Sequence, residues 1–231
     1  MEVYAAMVDR MDQNIGRLVN YLKSINEFEN TLILFLSDNG ACAQNVNRSP
    51  GAEIGTSQSF VAYGKNWANV GNTPYLKYKR YEHEGGILTP MIAHWPSGIK
   101  KAGRLVSEPV HIIDIMPTCL EIAGTDYPKE YVRNTILPHD GQSFFPAIQN
   151  KKLNTEREFF WEHEGNKAIQ VNDWKLVKLH NKPWELYDLG IDPTELRNLA
   201  QEKKHKAKSL HLKWNRWAKE VGVNSWPVKK K

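Results

Sequence analysis

The sequence lacks long apolar runs and is poor in cysteine. A membrane-spanning helix needs roughly 20 consecutive apolar residues, and no run in the 231 residues approaches that length, so we expect no membrane span. Cys42 and Cys119 are too few for a disulfide framework, and neither belongs to a paired metal-binding motif. The N-terminal residues Met1–Tyr4 have neither the basic start nor the apolar stretch of a signal peptide, so none is predicted.

The sequence also has no strong excess of positive or negative charge. Lys and Arg number 31 against 26 Asp and Glu, which gives a net charge of +5. The excess lies mostly near the C-terminus, at Lys203, Lys204, Lys206, Lys208, Lys213 and Lys229–Lys231. Runs of this kind usually mark a solvated helix face and a fraying tail. We therefore expect no nucleic-acid partner.

The first forty residues indicate an α/β fold. The composition, 41% hydrophobic and 25% charged, is typical of a globular protein. Apolar residues between Tyr4 and Leu22 recur at helical spacing, which predicts an amphipathic helix. The nearly uninterrupted apolar run Thr31–Ser37 predicts a strand buried on both faces, as in a parallel sheet covered by helices.

The middle of the chain alternates between a long loop and regular elements. Residues 40–80 show no periodicity, and their aromatic residues favour an ordered loop that packs. Met91–Trp95 predicts a second buried strand. Asp114 is a candidate cap for a helix over Ile115–Ala123, which Gly124 would end.

The last third of the chain predicts a small antiparallel β subdomain. Short apolar segments joined by Asn-containing turns suggest a meander, and they are Phe159–Trp161, Ala168–Val171, Trp174–Val177 and Trp184–Tyr187. An amphipathic helix over about residues 196–220 follows. We place the boundary near residue 150, which divides the chain into an α/β domain over 1–150 and the subdomain over 151–231.

A first group of candidate ligands directly follows the first predicted strand. In open α/β sheets, ligands bind beyond the carboxyl ends of the strands, which is where Ser37–Gly40 would lie. Asp38 and Asn39 carry the hard oxygen donors that suit Ca²⁺ or Mg²⁺. The alternative is an ordinary Asp-Asn-Gly turn. A hard cation takes six or more oxygens, so these two side chains cannot complete a site alone.

A second group occupies Asn72–Pro90. Here the cations Lys77, Lys79 and Arg80 precede acidic residues, a histidine and the pair Gly85–Gly86. A lysine held near a divalent metal would neutralise a sulfate or phosphate ester. The alternative is a charged surface loop closed by a glycine turn.

Together, in this order, the motifs resemble the sulfatase family of the alkaline-phosphatase superfamily, nearest to arylsulfatase-type members. The matching stretches are Leu36–Gly40, Asn72–Pro74, Tyr78–Lys79, His83–Ile87, Thr89–Pro96, Asp114–Thr118, Trp161–Asn166, Trp174–Val177, Glu185–Leu189, Asp192–Glu195 and Asn198–Ala200. They extend over essentially the whole chain. The resemblance implies an α/β, alkaline-phosphatase-like sandwich, present in part, with a small C-terminal antiparallel β subdomain and a terminal helix.

The resemblance also implies roles for individual residues. Asp38 and Asn39 would bind the metal, Ca²⁺ or alternatively Mg²⁺, and Lys79 would contact the sulfate of the substrate as a catalytic group. His83 is a further substrate-binding candidate, and His163 a weaker one. For both histidines a hydrogen-bonded structural role is the favoured interpretation.

One family motif is missing. Sulfatases use a formylglycine nucleophile made from the Cys or Ser of a Cys/Ser-x-Pro-x-Arg motif, and this sequence has none. Cys42 and Cys119 lack the proline and arginine, and Ser107–His111 ends in histidine. Cys42 is better interpreted as a small buried or loop thiol. We therefore expect a C-terminal portion of a sulfatase, with a missing N-terminal segment and little or no turnover by itself.

The expected function is that of a sulfuric ester hydrolase acting on sulfate monoesters, either small molecules or sulfated glycans. A phosphoesterase or phosphonate monoesterase of the same superfamily is one alternative, because metal and lysine suit either tetrahedral anion. A non-catalytic module that binds sulfated ligands is another. A periplasmic or extracellular location is expected from family resemblance only.

Overall fold

The computed structural model describes residues 1–153 and 156–228. The chain divides into two compact units. The first unit comprises Met1–Met11, Ser37–Pro90 and Glu156–Lys231, and the second comprises Asp12–Leu36 and Met91–Thr155. The predicted tail Lys229–Lys231 lies outside the described residues, and the domain boundary near residue 150 stays a prediction.

Helices and strands are both present. The helices are α1 (Glu2–Ser24), α2 (Gly64–Asn72), α3 (Glu84–Ile87), α4 (Ile115–Ala123), α5 (Phe145–Ile148) and α6 (Lys204–Glu220), and a 3₁₀ helix over Ile112–Asp114 precedes α4. The strands are β1 (Ile33–Leu36), β2 (Met91–His94), β3 (Glu130–Tyr131), β4 (Asn134–Thr135), β5 (Glu158–His163), β6 (Asn166–Val171), β7 (Trp174–Lys178) and β8 (Trp184–Asp188).

The first predicted strand exists, but its pairing corrects the sequence-based expectation. β1 pairs with β2 in antiparallel register, with Ile33 opposite His94 and Leu36 opposite Met91. Phe35 is 43% exposed and Ile92 62% exposed, so neither strand is buried on both faces. An apolar run indicates that both faces favour burial, but it carries no information on the direction of the neighbouring strand. The expected parallel arrangement was therefore wrong for this pair.

Helix α4 has the predicted bounds, but Asp114 does not cap it as expected. Asp114 is fully buried, and its side chain does not cap α4. Its carboxylate instead accepts hydrogen bonds from the backbone N–H groups of His111 (2.7 Å) and Gln142 (2.8 Å). Gly124 ends the helix at φ +63°, as predicted, because glycine adopts this left-handed conformation without a steric cost.

The C-terminal antiparallel sheet of the first unit is confirmed. Strands β5, β6, β7 and β8 are hydrogen-bonded in chain order. Ile169, Leu176 and Leu186 are fully buried in one cluster with Leu210 and Trp214 of α6. Each such side chain contributes about 1.5–3 kcal/mol through removal from water, so this cluster holds α6 on the sheet.

Helix α6 begins later than predicted because the preceding residues form a turn. The Asp192 carboxylate accepts hydrogen bonds from the backbone N–H groups of Leu196 (3.1 Å) and Arg197 (2.8 Å). These bonds compete with a helical path for the same donors. The helix therefore starts at Lys204 rather than near residue 196.

The stretch over residues 40–80 is more regular than its sequence indicated. It contains helix α2, which the sequence analysis missed, and an isolated bridge between Asn47 and Val61. The expected aromatic packing occurs between Tyr4 and Tyr63, whose ring centroids lie 5.1 Å apart. At nine residues, α2 is too short to produce a clear periodic signal.

Helix α1 is present as predicted, but its apolar stripe is covered only in part, since Ile15, Val19 and Leu22 are half-buried and the other stripe residues are exposed. The helix has no buried residue, and Met7 (65%) and Leu18 (55%) are among its exposed side chains. An amphipathic helix normally packs its apolar face on a core. The remainder of this stripe is therefore exposed apolar surface.

Candidate active site

The structure brings the two chemically interesting motifs side by side. The backbone N–H of Gly40 donates to the carbonyl of Gly86 at 2.9 Å, and that of Lys79 donates to the carbonyl of Ala41 at 3.1 Å. The residues that directly follow Asp38 and Asn39 are therefore hydrogen-bonded to the segment that carries Lys79. Both segments belong to the first unit.

This close approach requires glycine. A Cβ atom on Gly40 would lie 1.9 Å from the carbonyl oxygen of Gly85, and one on Gly86 would lie 1.9 Å from that of Tyr81. Both neighbours are backbone atoms, which cannot move aside as a flexible side chain would. The glycines of the two motifs thus serve the same purpose, since each permits backbone-to-backbone contact.

The side chain of Asn72 also links the two motifs. Its Oδ1 accepts a hydrogen bond from the backbone N–H of Ala41 at 3.0 Å, and its Nδ2 donates to the carbonyl of Lys77 at 3.2 Å. One side-chain amide therefore satisfies a donor in the first motif and an acceptor in the second. Asn72 opens the matching stretch Asn72–Pro74, for which the sequence alone suggested no role.

The predicted metal donors lie at the start of the first motif. Asp38 is exposed and Asn39 half-buried, and the Ser37 hydroxyl donates to the carbonyl of Asn39 at 2.9 Å. Their oxygens fit a hard cation chemically. Within residues 1–153 and 156–228, however, no group of three or more Asp, Glu, His or Cys residues could hold a metal ion. The metal assignment of Asp38 and Asn39 stays a prediction that needs further ligands.

Asn39 and Lys79 line two different cavities. The Asn39 cavity has a volume of about 530 Å³ and is also lined by Tyr63 and Trp67. The Lys79 cavity has a volume of about 480 Å³. Cys42 lines both. The two motifs are joined through their backbones, and a shared ligand for Asn39 and Lys79 stays a prediction.

The Lys79 cavity is rich in cationic groups. Its lining residues are Cys42, Ala43, Gln44, Tyr78, Lys79, Arg80, Tyr81, Glu164, Asn166, Leu179, His180 and Lys182. Arg80 forms a salt bridge with Glu164, and the hydrogen bond to that carboxylate raises the pKa of Arg80 above its ordinary value. Arg80 is thus already paired with an anion.

His83 is placed in the interior rather than on an open surface. It is 1% exposed, and its Nε2 lies 3.0 Å from Oε2 of Glu185, which also accepts the Tyr187 hydroxyl at 3.0 Å. The hydrogen bond with His83 lowers the pKa of Glu185. This geometry is that of a hydrogen-bonded structural histidine, and a substrate-binding role for His83 stays a prediction. His163, the weaker candidate, is exposed at the end of β5.

Sequence reasoning missed a buried ion cluster beneath the second motif. Lys175 of β7 is fully buried, and its Nζ lies 2.5 Å from Oε1 of Glu84 and 2.8 Å from Oε1 of Glu195. Glu195 also accepts the backbone N–H of Glu84 at 2.8 Å, and burial raises the pKa of Glu195. The available signal was a lysine inside the apolar segment Trp174–Val177, because a lysine is almost never fully buried without a partner.

Another glutamate, two positions before Glu84, is also buried. Glu82 is 3% exposed, and its Oε2 has no hydrogen-bond partner among the described residues. Burial raises the pKa of Glu82 to about 8. This group is therefore protonated at neutral pH, in contrast to an ordinary surface carboxylate.

Two family models match the chain. The model described as Sulfatase matches residues 1–125, and the model described as N-sulphoglucosamine sulphohydrolase, C-terminal, matches residues 75–220. The chain belongs to the sulfatase family.

Curated relatives agree with this assignment of the sulfatase chain. It is 34% identical to an uncharacterized sulfatase of Schizosaccharomyces pombe, over 98% of this chain and 45% of the relative. It is 38% identical to an arylsulfatase of Klebsiella aerogenes, over 68% of this chain and 36% of the relative. The chain thus spans less than half the length of these relatives.

Solved structures show the same fold. BT4656 in complex with its substrate D-glucosamine-2-N,6-O-disulfate matches 98% of this chain and 42% of that protein, with a TM-score of 0.62 and 26% identity. A phosphonate monoester hydrolase of Agrobacterium radiobacter matches 95% of this chain and 40% of its own, with a TM-score of 0.55. At 22% identity, this second match shows the fold alone.

Two features of the sulfatase chain concern its cysteines and its helices. Cys42 is a half-buried free thiol whose backbone N–H donates to the hydroxyl of Tyr63 at 3.1 Å, and Cys119 is free and exposed. Among the described residues, none of the helices has both the length and the apolar character needed to span a bilayer.

Proposed function

We propose that this chain is part of a sulfuric ester hydrolase that cleaves sulfate monoesters. The observation that supports this most is the backbone pairing of the Gly40–Ala41 segment with the Lys79–Gly86 segment in a chain of the sulfatase family. Hydrolysis would break the bond between sulfur and the ester oxygen and release an alcohol and hydrogen sulfate. Each side chain of the site would then have a separable role.

Lys79 would bind the sulfate and compensate its negative charge as the ester bond breaks. Lys79 lines its cavity and is exposed. A fixed ammonium group contributes most where charge accumulates in the transition state. Its backbone hydrogen bond to Ala41 would keep it in register with Asp38 and Asn39.

Asp38 and Asn39 would supply oxygen ligands to a divalent cation, Ca²⁺ or Mg²⁺. When bound, such a cation polarises a sulfate oxygen as a Lewis acid. The two side chains are too few to hold it alone, so further ligands must come from elsewhere.

A periplasmic or extracellular location is also proposed, and its sole support is the family resemblance.

The chain by itself would bind the ester without rapid turnover. Its sequence has no Cys/Ser-x-Pro-x-Arg motif from which a formylglycine nucleophile could be made. A missing N-terminal segment would supply that nucleophile. Binding without hydrolysis would also agree with the alternative of a non-catalytic module for sulfated ligands, and adding a segment with the motif would distinguish the two.

The experiment is a binding and turnover assay with 4-nitrophenyl sulfate in the presence of Ca²⁺. We expect calorimetric binding to weaken about tenfold in Lys79→Ala, because a charge-assisted hydrogen bond contributes roughly 1.5–3 kcal/mol. Lys65→Ala is the matched control, since Lys65 is an exposed lysine on α2. Equal affinities of the Lys79 and Lys65 variants would contradict the proposal, and rapid release of nitrophenolate would contradict the expected inactivity.

A phosphonate monoesterase is the second candidate. Its support is the solved phosphonate monoester hydrolase that shares the fold, together with the fact that a lysine and a cation suit either tetrahedral anion. Tighter, Lys79-dependent binding of phenyl phosphonate than of 4-nitrophenyl sulfate would favour it.

A further inference from the structure

The wall of the Lys79 cavity opposite the loop comes from the C-terminal sheet. Glu164 and Asn166 lie at the β5–β6 turn, and Leu179, His180 and Lys182 lie in the β7–β8 connection. We propose that His180 and Lys182 form a subsite for a second sulfate group, on a sugar whose first sulfate contacts Lys79. This inference rests on the proposed function and specifies its substrate as a sugar with at least two sulfates.

The charges of the cavity favour a ligand with more than one anionic group. Glu164 offsets Arg80 through their salt bridge. That pairing leaves the ammonium groups of Lys79 and Lys182 without an ionic partner among the described residues of the cavity. One sulfate can satisfy one of them. A second sulfate on the same ligand would satisfy the other and would add the imidazole of His180 as a hydrogen-bonding group.

Hydrogen bonds fix the distance between the two walls. Asn166 is 8% exposed. Its Oδ1 accepts the backbone N–H of His180 at 2.9 Å, and its Nδ2 donates to the carbonyl of Arg80 at 2.9 Å. Arg80 directly follows Lys79, so one buried amide connects the turn that contains His180 to the loop that contains Lys79. A subsite built in this way is preorganised rather than formed on binding.

Gly165 determines where the imidazole of His180 lies. Its φ is +80°, and a Cβ atom there would lie 2.4 Å from Nδ1 of His180. The ring therefore occupies space that only glycine leaves open. His180 lies two residues after the end of β7. That strand is held in the interior by the buried Lys175, so the backbone that leads into His180 is anchored.

The β7–β8 connection itself is a tight turn. The backbone N–H of Lys182 donates to the carbonyl of Leu179 at 3.0 Å, and Asn181 adopts a left-handed conformation with φ +59°. Asparagine tolerates that conformation better than most residues. The turn therefore holds His180 and Lys182 in a defined backbone geometry beside the cavity.

The size of the cavity agrees with a small charged sugar. Its volume of about 480 Å³ lies within the range of roughly 300–1,000 Å³ found for small-molecule sites.

The experiment compares two 6-sulfated sugars whose nitrogen carries an acetyl group in one and a second sulfate in the other. Calorimetric affinities are measured for N-acetylglucosamine 6-sulfate and glucosamine-2-N,6-O-disulfate, in the presence of Ca²⁺. We expect the unmodified chain to bind the disulfate about tenfold more tightly. Lys182→Ala should weaken binding of the disulfate far more than binding of the monosulfate and so remove that difference. Lys203→Ala, which alters an exposed lysine outside the cavity, should preserve the difference.

Two further variants test the role of His180. His180→Ala should reduce the preference for the disulfate, and His180→Gln, which keeps a donor, should restore part of it. Circular dichroism verifies that each variant is folded. Because Lys182 is an exposed turn residue, its variant decides the matter even if a change at His180 disturbs the turn.

The outcomes separate this inference from the proposed function. If the monosulfate binds with a dependence on Lys79 but the second sulfate adds no affinity, the subsite is wrong and the proposed function stands. If Lys182→Ala keeps the full preference, the subsite is equally wrong. If neither sugar binds, both proposals are overturned.

Discussion

Lys175 and Glu84 form an ion pair in the interior of the first unit, with 2.5 Å between Nζ and Oε1. Glu84 begins helix α3, which follows the loop that carries Lys79, and Lys175 lies in β7, a central strand of the C-terminal sheet. Through Glu195, the same lysine also holds the turn that follows β8. The ion pair therefore fixes the candidate site loop on a rigid antiparallel sheet.

Removal of Lys175 should strongly destabilise the chain. In Lys175→Met, Glu84 and Glu195 would lose their cation inside a buried environment, which typically costs about 3–5 kcal/mol. Urea unfolding measures this change in the free energy of unfolding. Lys208→Met, a change at an exposed lysine of α6, should have an effect below about 0.5 kcal/mol.

The same cluster allows a rescue experiment. Adding Glu84→Gln and Glu195→Gln to Lys175→Met removes the unpaired negative charges and should recover part of the lost stability. If Lys175→Met is no less stable than Lys208→Met, the ion cluster is not what holds the loop on the sheet.

Glu82 should make stability fall with rising pH. The unfolded carboxyl has its ordinary pKa of 4.5, and burial raises the folded pKa to about 8. Between these values the unfolded state releases a proton that the folded state retains, so unfolding becomes more favourable as pH rises. The accumulated loss is on the order of 3–5 kcal/mol and is complete above the folded pKa.

Glu82→Gln tests this dependence, because glutamine cannot ionise. We expect the variant to gain stability over the unmodified chain as the pH of urea unfolding is raised from 5 to about 9. Glu53→Gln, at an exposed glutamate of the same unit, should follow the unmodified chain. A stability difference between Glu82→Gln and the unmodified chain that is the same at every pH would contradict the raised pKa.

Gly40→Ala should disrupt the junction of the two motifs. The added methyl group would collide with the carbonyl of Gly85, and we expect a loss of at least about 2 kcal/mol in the free energy of unfolding. Gly71→Ala is the matched control, because its Cβ would make an ordinary contact at 3.7 Å with Ala41. Thermal unfolding of both variants provides the measurement. Equal melting temperatures would show that the backbone contact at Gly40 does not constrain the fold.

The uncovered apolar residues should make the chain associate in solution. Met7 and Leu18 of α1 and Ile92 of β2 are each more than half exposed, and exposed apolar surface of this kind favours association. Light scattering after size-exclusion chromatography should detect species larger than 26.6 kDa. Met7→Lys with Leu18→Lys should reduce them. A monodisperse monomer of the unmodified chain would show that this surface needs no cover.

The sequence was most informative where a local signal is sufficient. The meander from Phe159 to Tyr187 and the stop of α4 at Gly124 follow from turn residues and from strand or helix periodicity, and both were predicted. Helix α2 was missed because a nine-residue helix gives little periodic signal. The direction of the β1–β2 pair was also mispredicted, because an apolar run does not specify its partner.

The candidate site was predictable as motifs but not as contacts. Asp38, Asn39 and Lys79 were selected by residue type and family resemblance, and the structure adds the backbone pairing that joins their segments. The links from Asn72 to Ala41 and from Lys175 to Glu84 span 31 and 91 positions. Side-chain contacts over such separations depend on the folded path of the chain and leave no pattern in one sequence.

The most direct test of the central claim is a double-mutant cycle on Asn39 and Lys79. The affinity for 4-nitrophenyl sulfate in the presence of Ca²⁺ is measured for the unmodified chain, Asn39→Ala, Lys79→Ala and the double variant. If both residues act on one bound sulfate, the double variant should lose less than the sum of the two single losses, with a coupling of about 1 kcal/mol or more. Strictly additive losses, or no binding by the unmodified chain, would contradict a shared site.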